Sequence, residues 1–306
     1  MRQYLNNTSA TWLALAAMAA SALLVSACST TTTSPRAPDQ RMSIVVTIYP
    51  LQYFAQRIGG DHATVRTLVP IGAEAHGFAP TARDMVALGE ADLVVTNGLR
   101  LEPWMPRAID ALENSPPAVE ASAEGIVRQG GLDPHVWLDP LLAIGQAERI
   151  AASIAALEPS LAGEVEANRA SLVNDLQALH AAFKAALAVC RHESFVTAHS
   201  AYGYLADRYG ITQVAMTGLS PEAEPSARDL ASIADLMRAL GLQHVLREPT
   251  LSAGAVEAVA REVGATVLPI HQLGSITAAE LENHTDYFGL MRDNLNSLTT
   301  ALECTA

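Results

Sequence analysis

The chain has 306 residues, of which 50% are hydrophobic and 17% are charged, and its formal net charge at pH 7 is −13. An excess of acidic side chains repels phosphate backbones, so the composition argues against a protein that binds nucleic acid. The length is sufficient for two α/β domains of ordinary size after an N-terminal export segment.

The N-terminus predicts an exported lipoprotein. Residues 1–27 contain one charged side chain, Arg2, and an apolar run that ends in Ser26-Ala27-Cys28. The run is short for a membrane span and ends in small residues, which is typical of a cleaved signal peptide. Cys28 fits a bacterial lipobox, so we expect lipid attachment there, in the periplasm or on the outer face of the cell membrane. A plain signal peptide with an incidental cysteine is the alternative. The Thr- and Pro-rich residues 28–41 are expected to form a flexible tether.

Strand-like runs alternate with amphipathic segments through the rest of the chain, which predicts parallel sheets covered by helices. A run from Glu164 to Val189 has no Gly or Pro and carries apolar residues at helical spacing, so we predict one long helix. The predicted fold class is α/β, with an N-terminal β/α lobe (42–160), a rigid linking helix (161–190) and a C-terminal β/α lobe (191–306). A packing helix inside one large domain is the alternative. The predicted strands are Ser43–Thr47, Thr64–Leu68, Asp92–Thr96, Phe195–Thr197, His244–Arg247 and Thr266–Pro269.

Four histidines lie at the ends of predicted strands or in restrained turns. His135 is flanked by Pro134 and Pro140, which restrict the backbone. His199 and His271 follow strand-like runs, and His76 follows a predicted strand and precedes a helix-like segment. Residues at the carboxyl ends of strands line the crevice where α/β proteins bind ligands. Their separations of 59, 64 and 72 residues exclude a zinc finger, so a metal site built from them would be assembled between the lobes. For a lone histidine such as His135, capping a turn is the alternative.

Other polar residues have less distinctive settings. Glu248 follows the strand His244–Arg247 and could accept the second ring proton of a ligand histidine, although a salt bridge with an arginine is equally consistent. Asp133 and Asp139 are predicted to cap turns. The remaining histidines are predicted to be surface or packing residues: His62, His180, His192, His244 and His284.

Cys190 and Cys304 remain once Cys28 is assigned to the lipid. An exported location permits a disulfide between Cys190 and Cys304, but two buried thiols fit the sequence as well.

No Walker loop, GxSxG elbow or GxGxxG fingerprint stands where a strand would meet a helix, so a nucleotide enzyme or serine hydrolase has no support.

Ordered motifs from Ser43 to Leu302 resemble the metal-binding receptors of bacterial ABC importers for zinc and manganese. The motifs are Ile48-Tyr49-Pro50-Leu51, His76 with Pro80 and Asp84, Ala91 to Val95, Asn97-Gly98-Leu99, Glu102-Pro103-Trp104, Asp133 to Trp137, His199 with Ala201 to Tyr204, Ser220-Pro221-Glu222 and Tyr287 to Leu295. The resemblance implies two β/α lobes joined by a long helix, a single metal ion between them, and a membrane permease as partner. It maps the first three ligands onto His76, His135 and His199.

The fourth ligand departs from the family pattern. An aspartate is usual after the last strand, whereas this chain has Ile270-His271-Gln272-Leu273. Imidazole ligands favour zinc over manganese, which prefers oxygen, and four nitrogens suit tetrahedral zinc. The alternative is that His271 is turned away and that water or a carboxylate from elsewhere is the fourth ligand.

The resulting prediction is a lipid-anchored, monomeric Zn²⁺ receptor that is not an enzyme and delivers its ion to an ABC permease. A Mn²⁺ or Fe²⁺ receptor of the same fold is the first alternative, and the missing carboxylate ligand disfavours it. A metallohydrolase becomes credible only if His271 turns away and an acid such as Glu248 faces a metal-bound water. A surface adhesin is the third alternative.

Overall fold

The structure is a computed structural model that describes residues 41–122, 125, 127–128, 131–221, 224–283 and 285–305. The predicted signal peptide (1–27), the tether up to residue 40, the predicted lipid attachment at Cys28 and the predicted surface residue His284 lie outside the described residues. Among the helices of the described part, none is both long and apolar enough to cross a bilayer.

The first lobe is built on a parallel sheet of four strands in the order β2-β1-β3-β4. Strand β3 and most of β1 are buried, and both consist largely of β-branched and aliphatic residues, as is usual for strands covered on both faces. An antiparallel hairpin of β5 and β6 follows β4. The elements are β1 (Met42–Val46), α1 (Tyr49–Gly59), β2 (Ala63–Thr67), α2 (Ala82–Gly89), β3 (Leu93–Thr96), α3 (Met105–Asp110), β4 (Ala118–Glu120), β5 (Val127–Arg128), β6 (Gly131–Leu132) and α4 (Pro140–Leu157).

A long helix, α5 (Ala162–Ala186), follows the first lobe and packs against α1 and α4. Its apolar residues recur every three to four positions, so they share one buried face. This face joins the largest hydrophobic core of the protein. The buried residues are Val165, Leu172, Leu176, Leu179 and Phe183.

The second lobe repeats the architecture with strands in the order β10-β9-β7-β8, all parallel. Its helix α7 begins with a capping box between Ser226 and Asp229, and it ends at Gly241, which adopts the left-handed conformation that glycine tolerates. The elements are β7 (Ser194–Thr197), α6 (Gly203–Tyr209), β8 (Thr212–Ala215), α7 (Ala227–Leu240), β9 (His244–Arg247), α8 (Gly254–Val263), β10 (Thr266–Pro269), α9 (Ala278–Glu282) and α10 (Tyr287–Ala301).

The C-terminal helix α10 ties several parts of the protein together. The Tyr287 hydroxyl donates to the Trp137 carbonyl at 2.6 Å, and Tyr53 donates to Asp286 at 3.0 Å. Beyond the helix, a disulfide joins Cys304 to Cys190, which lies between α5 and β7. The structure therefore contains the disulfide, not two buried thiols.

The predicted fold class is confirmed, since both lobes contain a parallel sheet and a long helix lies between them in sequence. The last two predicted strands match in full, and the other four lie within one residue of the observed bounds. The long helix begins two residues earlier than predicted and ends three residues earlier, because Leu187 leaves the helical conformation. The edge strands β4 and β8 were not predicted. The exact lobe boundaries at 160 and 190 stay a prediction.

Candidate metal centre

Three of the four predicted ligands meet at one point. The ligand nitrogens of His76, His135 and His199 all lie within 4.8 Å of one another, the one such group of three or more metal-ligating side chains among the described residues. His76 and His135 bring their Nε2 atoms to 3.0 Å. Two donors of a tetrahedral zinc ion with N–Zn bonds of about 2.05 Å are about 3.3 Å apart, so this spacing matches a shared metal.

Each of the three imidazoles is positioned by a different local structure. His76 lies in the loop between β2 and α2, where the Glu74 carboxylate accepts hydrogen bonds from the backbone N–H groups of His76 and Gly77. His135 precedes a short 3₁₀ turn, and His199 is the second residue after β7. The group therefore draws on the loops of both lobes, as expected for strand ends of α/β sheets.

Two buried carboxylates fix the tautomers of two of these histidines. Asp133 Oδ1 lies 2.8 Å from His135 Nδ1, and Glu248 Oε2 lies 2.7 Å from His199 Nδ1. A carboxylate accepts a hydrogen from Nδ1, which leaves the lone pair on Nε2. Both Nε2 atoms therefore present lone pairs to the centre of the group.

The centre is buried and lacks a protein donor for one of these lone pairs. His135 and His199 are 0% and 1% exposed, and His199 Nε2 is buried with no hydrogen-bond partner among the described residues. Burial, followed by the charges of the other two imidazoles, lowers the pKa of His76 from 6.5 to about 3. Burial also lowers the pKa of His135, although Asp133 opposes the shift. Neutral imidazoles with converging lone pairs form an electron-donor site for a cation.

The family model described as "Zinc-uptake complex component A periplasmic" matches residues 44–301. The chain belongs to this zinc-uptake family. The resemblance seen in the sequence motifs is confirmed, and the match covers both lobes and the helix between them.

Relatives of known name support the same membership. The zinc-binding lipoprotein AdcA of Streptococcus pneumoniae is 32% identical over 295 residues, which cover 90% of this chain and 58% of the relative. The high-affinity zinc uptake system protein ZnuA of Bacillus subtilis is 30% identical over 311 residues, which cover 95% of this chain and 98% of the relative. This chain thus spans somewhat more than half of the first relative and nearly all of the second.

Solved structures of family members share the fold. The Zn(II)-bound ZnuA-like domain of Streptococcus pneumoniae AdcA superposes with a TM-score of 0.77 at 32% identity and covers 86% of this chain and 99% of that domain. The laminin-binding protein Lmb of Streptococcus agalactiae superposes with a TM-score of 0.77 at 30% identity and covers 85% of this chain and 99% of that protein. Lmb is described as bifunctional, with adhesin and metal-transporting activity.

The fourth predicted ligand of this family member, His271, is not in the group of three. Its Nδ1 lies 2.7 Å from Glu280 Oε1, at the start of the short helix α9. Asn294 accepts from the His271 N–H and donates to its carbonyl, each at 2.7 Å, so the backbone is held from both sides. Burial alone would raise the pKa of Glu280, but hydrogen bonds from His271 and Thr277 keep it below its ordinary value. Ligation by His271 stays a prediction.

The acidic residues near the centre differ partly from expectation. Glu248 contacts His199, as predicted, and the arginine salt bridge is not seen among its described contacts. Asp139 caps α4 through Leu141, also as predicted. Asp133 accepts from the His135 N–H as a turn residue would, but it also holds the imidazole ring, a role that the sequence analysis missed. The two-residue spacing of Asp133 and His135 was the available signal.

Glu74 was also missed. Burial raises the pKa of its carboxyl, although its backbone hydrogen bonds and the charge of His199 oppose the shift. It lies two residues before His76 and accepts from the N–H of that histidine, so it is a nearby carboxylate outside the group of three. Four other histidines pair or pack elsewhere in the described structure, as predicted: His62 with Glu164, His180 with Tyr209, His192 with Glu303, and His244 on β9.

Proposed function

We propose that this protein binds Zn²⁺ outside the cytoplasm and delivers it to the permease of an ABC importer, with His76, His135 and His199 as ligands. The observation that carries the proposal is the convergence of three imidazoles, two of which have their Nδ1 atoms committed to buried carboxylates. Zinc is the cargo of such a receptor, and its relatives in Streptococcus pneumoniae and Bacillus subtilis are named for zinc binding and zinc uptake.

The donor set favours zinc over manganese. Three nitrogen donors suit a tetrahedral zinc shell, whereas manganese prefers carboxylate and water oxygens. Asp133 and Glu248 supply negative charge without becoming ligands, because each carboxylate is directed at an Nδ1 atom. Their charge offsets that of a dipositive ion one imidazole ring away.

The fourth position has two candidates on the chain. His271 would have to leave Glu280 to reach the group, whereas Glu74 lies two residues before His76 and accepts hydrogen bonds from the backbone N–H groups of His76 and Gly77. We keep His271 as the predicted fourth ligand, since it follows β10 as His199 follows β7. A metallohydrolase would need a free general base at this centre. Glu248, the base named for that alternative, is occupied by His199, so the receptor role is preferred.

The proposal also includes attachment to the membrane through a lipid on Cys28 and action as a monomer. The permease as partner follows from the family role of zinc uptake.

Native mass spectrometry of the metal-stripped protein, given equimolar Zn²⁺ and Mn²⁺, tests the proposal. We expect the parent to retain one zinc ion and His76→Ala to lose it. His271→Ala should weaken retention if His271 ligates and leave it unchanged if Glu74 or water completes the shell. Retention of manganese by the parent, or undiminished zinc binding by His76→Ala, would contradict the proposed site. Turnover of esters or peptides by the zinc-loaded protein would favour the hydrolase.

A further inference from the structure

Arg128, on strand β5, joins the candidate metal centre to the second lobe. Its Nε donates to Asp133 Oδ2 at 2.7 Å, and its Nη2 donates to Asp207 Oδ2, also at 2.7 Å. Its guanidinium lies over the ring of Tyr204, 5.1 Å from the ring centre. Asp207 and Tyr204 belong to α6 of the second lobe, whereas Asp133 directly precedes the candidate ligand loop. One side chain therefore contacts both lobes.

The Asp133 carboxylate is shared between Arg128 and the candidate ligand. Its Oδ1 accepts from the backbone and ring nitrogens of His135, and its Oδ2 accepts from Arg128. Asp133 is fully buried, and a buried carboxylate is costly unless a cation or several donors compensate its charge. Arg128 is the cation that supplies this compensation, and it fixes the plane of the carboxylate that orients His135.

The N-terminus of α6 is shaped to admit the guanidinium. A Cβ atom added to Gly203 would lie 2.6 Å from Arg128 Nε and 2.7 Å from its Cζ, closer than real Cβ contacts allow. The next residue of the helix, Tyr204, donates through its hydroxyl to the Asp133 carbonyl at 2.8 Å. Glycine leaves the space that the guanidinium occupies, so a side chain at this position would displace Arg128. The position of α6 and the position of Arg128 are thus mechanically linked.

We propose that Arg128 is a positioning residue for metal binding, which orients His135 through Asp133 and couples that orientation to the second lobe through Asp207 and Gly203. The inference rests on the proposed function, in which His135 is a zinc ligand. A displacement of α6 relative to the first lobe would pull on Arg128 and withdraw support from His135. Separation of the lobes would thus weaken the support of His135 in addition to moving His199, which follows β7 of the second lobe.

Zinc affinity measured by competition with a chelator, together with the visible absorption spectrum of the Co²⁺-loaded protein, tests this role. We expect Arg128→Gln to lower zinc affinity by about 10- to 100-fold, the effect typical of groups that support metal ligands, and to alter the cobalt spectrum. In an Asp133→Asn background the same change should have almost no further effect, because Arg128 acts through that carboxylate. Arg128→Lys should recover part of the affinity.

Two further variants and one control separate this role from a general loss of structure. Gly203→Ala displaces the Arg128 guanidinium without changing any charge, and Asp207→Asn removes the exposed carboxylate that pairs with it. Both variants should bind zinc less tightly than the parent. Arg169→Gln breaks an arginine–carboxylate pair of similar exposure, with Glu166 on the long helix α5, and should leave affinity unchanged. If Arg128→Gln does not fold, Gly203→Ala decides the question by the same two measurements.

The outcomes distinguish the two proposals. A parent that binds zinc, a His76→Ala variant that does not, and an Arg128→Gln variant that matches the parent in affinity and cobalt spectrum would overturn the role of Arg128 alone. An equal loss in the parent and Asp133→Asn backgrounds would also overturn it, because Arg128 would then act independently of Asp133. Failure of the parent to bind zinc would overturn the proposed function and this inference with it.

Discussion

Replacing Glu248 by Gln tests whether the carboxylate behind His199 supports metal binding. Glu248 is fully buried, and its Oε2 lies 2.7 Å from His199 Nδ1. Glutamine has the same shape and can still accept a hydrogen bond through its amide oxygen, so the substitution removes mainly the negative charge. The fold should be retained while the basicity of His199 falls.

The size of the effect follows from this geometry. A zinc ion bound to His199 Nε2 would lie about 6 Å from the Glu248 carboxylate. At that distance a dipositive ion and one negative charge attract by about 1.4 kcal/mol in water and about 5.5 kcal/mol at an effective dielectric constant of 20. Loss of such supporting groups usually costs 10- to 100-fold in metal affinity, or about 1.4 to 2.7 kcal/mol. We expect Glu248→Gln to weaken zinc binding by an amount in this range.

Competition with a chelator of known zinc affinity measures the change, and thermal unfolding of the metal-free variants checks that the fold is unaffected. Glu262→Gln is a matched control, since Glu262 is an exposed glutamate on α8 whose carboxylate pairs with Arg238 of α7. Zinc affinity equal in the parent and Glu248→Gln, or reduced equally in both variants, would refute the reasoning. In that case the Glu248 carboxylate would not support His199 as a zinc ligand.

Three further predictions concern stability. Phe183→Ala should lower the free energy of unfolding by about 3 to 5 kcal/mol in urea titrations, because Phe183 is fully buried in the main core, whereas the exposed Val189→Ala should change it by under about 0.5 kcal/mol. Cys190→Ser should cost about 2 to 5 kcal/mol by opening a disulfide across 114 residues, and a parent treated with reductant should show the same loss. Burial raises the pKa of Glu102 from 4.5 to about 7. Between pH 4.5 and about 7 the folded state keeps a proton that the unfolded state has lost, so the free energy of unfolding should fall by up to about 3 kcal/mol as the pH rises through this range. The same pH titration of Glu102→Gln should lack this fall; an unchanged fall would assign it to other groups.

The fold was predictable where strand-forming residues follow one another without interruption. Strands β9 and β10 were predicted residue for residue, and β1 and β3 to within a residue, because each is a run of strand-forming residues bounded by polar or turn residues. Strands β4 (Ala118–Glu120) and β8 (Thr212–Ala215) were missed. Both lack an uninterrupted apolar run, because β4 follows two prolines and ends in Glu120, and β8 contains Gln213, whereas the equally short edge strand β10 keeps Val267-Leu268 together.

The site was predictable to the extent that strand ends define it. His76 and His199 were identified because each follows a predicted strand, and His135 because two prolines restrain its backbone; the loops of the two lobes bring the three together. The direction of the His271 side chain was not predictable, since it depends on a contact with Glu280 of the separate helix α9. Arg128 could not be identified from sequence, because its importance arises only when β5 and α6 meet in space.

The charge around the three imidazoles is arranged so that two carboxylates lie behind the nitrogen donors and not among them. Carboxylates that bound the ion directly would neutralise its charge but would also suit manganese. Here Asp133 and Glu248 lie one ring behind the donors, where they would offset the charge of a bound ion and raise the basicity of His135 and His199 while these residues present nitrogen to it. Asp133 is in turn held by Arg128, which also contacts the second lobe. In the coupling proposed for Arg128, the charge behind His135, and with it zinc affinity, therefore depends on where α6 of the second lobe lies.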